Sequence, residues 1–170
     1  MGDADIIIRD ANSRDAETIA KLVARLADST GQTDKQSSTA ADFERHGFGA
    51  RPAFRALIAE QAGKAVGLAL WFYNFSSWRG DLGVYLQDIY VDSRLRGSGL
   101  GRRLLAETAR LALQDGASHL RLSVASSNKA AQDFYRHLGF TAREDERIYQ
   151  IADLAFTGLA DCSTRRDPGK

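Results

Sequence analysis

Residues 85–103 read YLQDIYVDSRLRGSGLGRR, and the fold is decided there. The stretch opens as a strand. Leu86, Asp88 and Tyr90 alternate with Gln87, Ile89 and Val91 in a segment rich in β-branched and aromatic side chains. A short basic loop follows over 92–96. Gly97, Gly99 and Gly101 then stand at alternate positions. After them Leu100, Leu104, Thr108, Leu111 and Ala112 recur at helical spacing. A strand, a glycine loop and a helix start are the parts of an anion site. Glycine lets the chain turn and expose its N–H groups, and the helix N-terminus adds roughly half a positive charge. Arg94, Arg96, Arg102 and Arg103 surround that point with cations, although Arg94 reads equally as a plain surface charge. The expected guest is a pyrophosphate. The bland alternative is a glycine-containing turn before an ordinary helix.

Two common phosphate loops are excluded by residue type. The P-loop ends in Gly-Lys-Ser/Thr, but Gly101 is followed by Arg102. The dinucleotide fingerprint needs a glycine where Arg102 stands. The pattern Arg/Gln-x-x-Gly-x-Gly/Ala is satisfied by Arg96, Gly99 and Gly101. In this the stretch resembles the acetyl-CoA pyrophosphate loop of the GNAT acetyltransferases, with Arg96, Gly97, Ser98, Gly99, Leu100, Gly101 and Arg102 as the residues that would hold the cofactor.

Length and composition bound the rest. With 170 residues and 44% hydrophobic content, the chain is expected to make a single domain over 1–159, followed by a polar, disordered tail over 160–170. A net charge of +1 gives no argument for nucleic acid or a membrane surface as partner. The lone Cys162 precludes a disulfide framework within one chain, which suits a cytoplasmic location. No apolar run approaches the roughly 20 residues of a membrane span. The start, MGDADIIIRD, lacks the basic region of a signal peptide, and Ile6 occupies the position where myristoylation favours Ser or Thr.

Periodicity and turn residues give an element order. Strands are expected at 5–9, 54–60, 65–75, 83–91 and 119–125, with a final pair at 140–143 and 147–153. Helices are expected at 14–28, 40–46, 99–115 and from 127 or 128 to 138. The polar stretch 29–39 reads as a mobile loop or a short irregular helix, of a length that is often functional. This is an α/β chain with a mixed sheet and packed helices. The order matches the GNAT fold, whose resemblance implies a mixed, mostly antiparallel sheet with helices on both faces. It also implies a splay between the fourth and fifth strands, into which the pantetheine arm of the cofactor enters.

A second motif lies downstream. Asn128, Ala131 and Tyr135 share one helix face, and Leu138-Gly139-Phe140 ends the helix. The segment NKAAQDFYRHLGF resembles the GNAT element in which the Asn meets the pantetheine and the Tyr hydroxyl reaches the sulfur. The alternative is that these are core-facing residues, which is accepted for Phe134 and Leu138. From 46 to 101 the chain further resembles the diamine (spermidine/spermine) N-acetyltransferase group. The likeness rests on HGFG, Pro52-Ala53-Phe54, Trp78 before Gly80, and Leu86-Gln87-Asp88 ahead of Ile89-Tyr90-Val91. The departures matter. Gln87 stands where that group has Glu, Ser29-Thr30 where it has Tyr-Glu, and Ser76-Ser77 precede Trp78 where it has Asp-Pro. Asp88 and Glu144 remain from its acidic set. Losing several charged contacts, each worth about 1.5–3 kcal/mol, argues against spermine and for a smaller, less cationic amine.

The resemblance implies direct transfer from acetyl-CoA to a small primary amine, diamine- or amino-acid-like. Asp88 is the candidate base, or else a solvated carboxylate. Backbone N–H groups near Ile89, Tyr90 and Val91 would hold the oxyanion, and Tyr135 would protonate or orient the sulfur. Trp78, Gln87, Asp88 and Glu144 are the candidate substrate residues. Cys162 has no expected His or Asp partner, and His46, His119 and His137 form no metal pattern, so no metal is expected. The resemblance also implies a homodimer to which 147–156 contribute. The rival functions are a protein or peptide N-acetyltransferase and a weakly catalytic CoA-binding module.

Overall fold

The computed structural model describes residues 6–162. Contacts divide the chain into two compact units, Met1–Phe134 and Tyr135–Lys170. The first contains one five-stranded sheet in the order β1 (Ile6–Asp10), β2 (Arg55–Gln61), β3 (Lys64–Ser76), β4 (Asp81–Val91), β5 (Ala117–Leu122). The first three pairings are antiparallel and β4 runs parallel to β5. Helices α1 (Ala16–Ser29) and α2 (Ala40–Phe48) lie between β1 and β2, and α3 (Leu100–Gln114) connects β4 to β5. A further helix, α4, spans Lys129–His137. The expected α/β class and mixed, mostly antiparallel sheet are therefore observed. The polar 29–39 stretch contains a single 3-10 turn, Thr33–Lys35, before a Thr39/Asp42 capping box opens α2.

Each face of the sheet is covered by a different helix. Ile19 and Leu22 of α1 pack with Ala56, Ile58, Leu68, Leu70 and Tyr90. The opposite face meets α3, whose Leu100, Leu104, Leu105, Thr108 and Ala112 are buried. Gly67 explains how closely α3 approaches, because a Cβ there would sit 3.1 Å from the Leu104 side chain. Arg9 fastens the start of α1 to two strands through Asp15 at 2.8 Å and Glu60 at 2.6 Å. Its guanidinium holds the Asp15 carboxyl below the usual carboxylate range.

Two features of β4 departed from simple alternation. First, Leu70 pairs with Asp88 while Trp71 pairs with Leu86, so Gln87 is the extra residue of a bulge. Consecutive residues of β3 point to opposite faces, so Leu86 and Asp88 do too. The expectation that they share a face is corrected: the bulge turns Leu86 toward α3 and Asp88 toward α1. Second, the β4–β5 ladder ends at Leu86 and Leu122. Beyond it Gln87–Val91 has no β5 partner, which is the opening expected between the fourth and fifth strands. β5 itself stops at Leu122 rather than at residue 125.

The second unit begins within α4. Its Leu138-Gly139-Phe140 segment is a Schellman cap: Gly139 has φ 91°, its N–H donates to Arg136, and the Phe140 N–H donates to the Tyr135 carbonyl. The Phe140 ring packs on Tyr135 at 5.4 Å, the apolar contact that accompanies such caps. The two strands expected at 140–143 and 147–153 do not form. That segment is irregular and leads into α5 (Asp153–Cys162). β-Propensity alone does not make a strand, and Ile148 and Tyr149 stay 78% and 89% exposed with no ladder to join. The expected tail is helical to 162, and 163–170, like residue 5 of the first expected strand, lies outside the described residues.

Candidate active site

The loop after β4 forms as its glycines require. Gly97 and Gly99 take φ values of 80° and 88°, and neither would bring a Cβ within 4 Å of a neighbour. The space above them is open. Gly99 is the N-cap of α3 and supplies no side-chain cap. The amides of Gly97, Gly99, Leu100, Gly101 and Arg102 donate to no acceptor among the described residues. Gly101 has a different job from the other two: a Cβ there would lie 3.2 Å from the Phe134 ring, so it is small because α4 packs against it.

The four arginines also divide. Arg94 forks onto Asp92 at 3.0 and 3.1 Å, and Arg103 donates to the Ile6 carbonyl at 2.9 Å. Arg96 and Arg102 are exposed beside the loop. Of the four expected cations, Arg94 is thus engaged by its near neighbour Asp92 and Arg103 reaches across to β1.

Asn128 sits at the start of α4 and its Oδ1 accepts from the Ala131 N–H at 3.1 Å. It is the helix cap. Ala131 is half-buried on the first turn. Tyr135, on the last turn, is buried, and burial pushes its hydroxyl up to about 12.

On β4, Asp88 is half-buried, and burial raises its carboxyl above the usual carboxylate range. Ile89 and Val91 are half-buried and Tyr90 is buried in the α1 core. Gln87 is exposed on the bulge. Trp78 is 98% exposed at the tip of the β3–β4 turn. Glu144 is exposed in the irregular segment of the second unit. The first unit thus brings together the loop 96–102, the opened end of β4, and Asp88.

Register adds residues that the sequence reading missed. Phe72 and Tyr85 are cross-strand partners whose rings stack at 5.2 Å, on the same face as Asp88. Tyr85 shares a 2.6 Å hydrogen bond with Ser123, and Arg121 is its β5 partner. His119 lies over Gly83, where a Cβ would be only 2.2 Å from the imidazole. None of this could be read without the bulge, which sets the face on which each β4 residue lies.

The Acetyltransferase (GNAT) family matches residues 20–140. The chain belongs to that family. As a GNAT protein it is 35% identical over 168 residues to a thialysine N-epsilon-acetyltransferase of Bos taurus, covering 92% of this chain and 98% of that one. It is 33% identical over 139 residues to a spermidine/spermine N(1)-acetyltransferase-like protein 1 of Homo sapiens, covering 78% of this chain and 20% of that one. A solved integron cassette protein from V. cholerae shares the fold, with a TM-score of 0.77 at 19% identity over 92% of this chain and 98% of that one. The GNAT domain and the named relatives make this an N-acetyltransferase. The family uses acetyl-CoA as co-substrate, and the free amides and two cations of 96–102 suit a diphosphate.

Among the described residues, no group of three or more His, Cys, Asp or Glu could hold a metal, and no helix is long and apolar enough to cross a membrane. A cavity of about 570 Å³ opens between α1 and the ends of β3 and β4, lined by Lys21, Arg25, Lys64 and Arg94 among others. Tyr90 is among its lining residues and Asp88 is not.

Proposed function

We propose that this GNAT protein transfers acetyl from acetyl-CoA to a small primary amine by direct attack in a ternary complex. The observation that carries the proposal is the pair of features at the end of β4: a ladder that opens beyond Leu86, and a following helix start with unspent donors. The substrate class is supported by the bovine relative, a thialysine N-epsilon-acetyltransferase.

Acetyl-CoA supplies a thioester whose C–S bond breaks as the C–N bond to the amine forms. The chain's residues do the remaining work. Amides over 97–102, with Arg96 and Arg102, bind the diphosphate, and the Asn128 amide and Ala131 receive the pantetheine. Asp88 takes a proton from the incoming ammonium, directly or through water. Its raised pKa brings the base closer to neutral pH. Backbone N–H groups between Ile89 and Val91 donate to the carbonyl oxygen as it gains charge. Tyr135 is assigned to the sulfur. Burial keeps its phenol protonated at about 12. Tyr135 then gives its proton to the departing thiolate; the second reading of the same residue is that it orients the sulfur while water carries the proton.

Gln87 and Trp78 line the acceptor's approach. The chain acts as one domain through residue 159, in the cytoplasm, as a homodimer. Exposed Ile148, Tyr149, Leu154 and Phe156 support the dimer, being apolar area that a second copy would cover. Release of free CoA from acetyl-CoA with a panel of primary amines tests the activity. Amine-dependent release with one acetyl gained per thiol is expected, and binding of acetyl-CoA without turnover of any amine would contradict it.

A further inference from the structure

We propose that the cavity between α1 and the end of β4 is a second anion site, built for a small phosphate monoester and distinct from the diphosphate loop at 96–102. The cavity holds about 570 Å³, within the range of small-molecule sites. Its walls come from three elements of the first unit. α1 gives Lys21 and Arg25, one turn apart, with Leu22 between them. The start of β3 gives Lys64 and Val66, and β4 with the turn after it gives Tyr90 and Arg94. Leu22 and Val66 are core residues, 1% and 3% exposed, so the floor is apolar. The rim is cationic. No residue of 96–102 lines the cavity.

Two independent observations point to a ligand. The first is Tyr90, whose side chain is only 8% exposed. Its hydroxyl makes no hydrogen bond among the described residues, yet it is not sealed in. It therefore opens on the cavity that Tyr90 lines. A phenol this deeply buried calls for a partner, and the cavity is where one has room. The second is charge. Lys21 is taken by Glu17 at 2.7 Å and Arg94 by Asp92 at 3.0 Å. Arg25 and Lys64 make no hydrogen bond or ion pair among the described residues. Arg25 only adds a weaker pull to the one Arg94 exerts on the Asp92 carboxyl. The cavity thus keeps two uncompensated cations beside one unspent hydroxyl donor. A phosphate monoester carries about −1.5 to −2 charge at pH 7 and three acceptor oxygens, which matches that set. A single carboxylate would leave one cation unmatched. The organic body of the ester would rest on Leu22 and Val66.

The test titrates the coenzyme A-saturated protein with phenyl phosphate at low salt, followed by calorimetry, with inorganic phosphate and phenol as controls. One equivalent of phenyl phosphate is expected to bind, inorganic phosphate severalfold more weakly, and phenol not measurably. The double variant Arg25→Gln, Lys64→Gln should weaken phenyl phosphate at least about 10-fold, and the loss should shrink at high salt because both side chains are exposed. Tyr90→Phe, which keeps the ring and removes only the hydroxyl, should weaken it about 5- to 10-fold. The double variant should keep its coenzyme A affinity and its melting temperature, which separates this cavity from the diphosphate loop. Absence of saturable binding would overturn the proposal, as would displacement of coenzyme A by the ester or full affinity in the double variant. Inorganic phosphate binding as tightly as phenyl phosphate would overturn the ester assignment. If coenzyme A itself fails to bind, the acetyltransferase reading fails, while the same titration of wild type and variants still decides this inference.

Discussion

Two helix starts in this protein solve the same problem in opposite ways. α4 opens with Asn128, whose side chain satisfies the Ala131 amide. α3 opens with Gly99, which has no side chain to offer and leaves successive amides without an acceptor. A side-chain cap is worth about 0.5–2 kcal/mol, so α3 forgoes stability that α4 takes. It also has no acidic residue in its first turn, where one would complement the dipole, and carries Arg102 there instead. The contrast separates an end completed by the protein from an end completed by a ligand.

The largest expected effect on cofactor binding comes from giving α3 its own anion. Gly99→Asp puts a carboxylate where the diphosphate binds and forces a non-glycine residue to φ 88°. Coenzyme A affinity should fall at least about 100-fold by calorimetry, from the lost charged hydrogen bonds alone. The melting temperature should drop only by the left-handed penalty, about 1–2 kcal/mol. A comparable loss of both would mean that the glycine serves only the fold.

Next is Asp88→Asn, which should cost about 10²–10⁴ in kcat/KM. The pH profile gives the sign. Because burial raises the folded-state pKa of Asp88, the working carboxylate appears only as pH climbs through a value above the ordinary carboxylate range. Wild-type kcat/KM should lose activity on the acid side above that range, and the variant should lack this limb. Stability should move the other way. A raised carboxylate pKa favours the fold at low pH and penalises it once the group ionises, so Asp88→Asn should melt higher than wild type at neutral pH. Tyr135→Phe should lower kcat by about 10- to 100-fold, the worth of a hydrogen bond to a charged sulfur, with coenzyme A affinity held. An unchanged kcat would remove Tyr135 from the reaction.

Smaller effects follow from the flanking side chains. Arg102→Ala should weaken coenzyme A binding severalfold at low salt and less at high salt, because the charge is exposed and screened. Asn128→Ala should cost about 1 kcal/mol of stability through the lost cap, with a lesser effect on cofactor affinity. If Asn128→Ala weakened binding more than Gly99→Asp, the contrast between the two helix ends would be reversed.

What could be read from the chain follows the range of the forces involved. The positive-φ loop around Gly97 and Gly99, the α3 stripe and the Gly139 cap are set within a few residues, and they were legible. The opening beyond Leu86 was expected only through the resemblance to the GNAT fold, whose fourth and fifth strands splay. The bulge at Gln87 was not, because it is a mismatch between two strands and leaves no mark on either alone. With it went the face of Leu86, the partnership of Phe72 with Tyr85, and the position of Arg121. The strands expected at 140–153 failed for the same reason: Ile148 and Tyr149 carry the propensity, but a strand also needs a neighbouring edge. The role of Arg103 turned on a long-range partner, since nothing near it in sequence announces the carbonyl of Ile6.

The most direct test is a titration of the isotopically labelled protein with coenzyme A, followed through backbone amide resonances. Amides from Gly97 to Arg102 should shift together and saturate at one stoichiometric equivalent, and the same resonances should stay in place with pantetheine, which lacks the diphosphate. Saturable coenzyme A binding that leaves those amides unmoved would contradict the account.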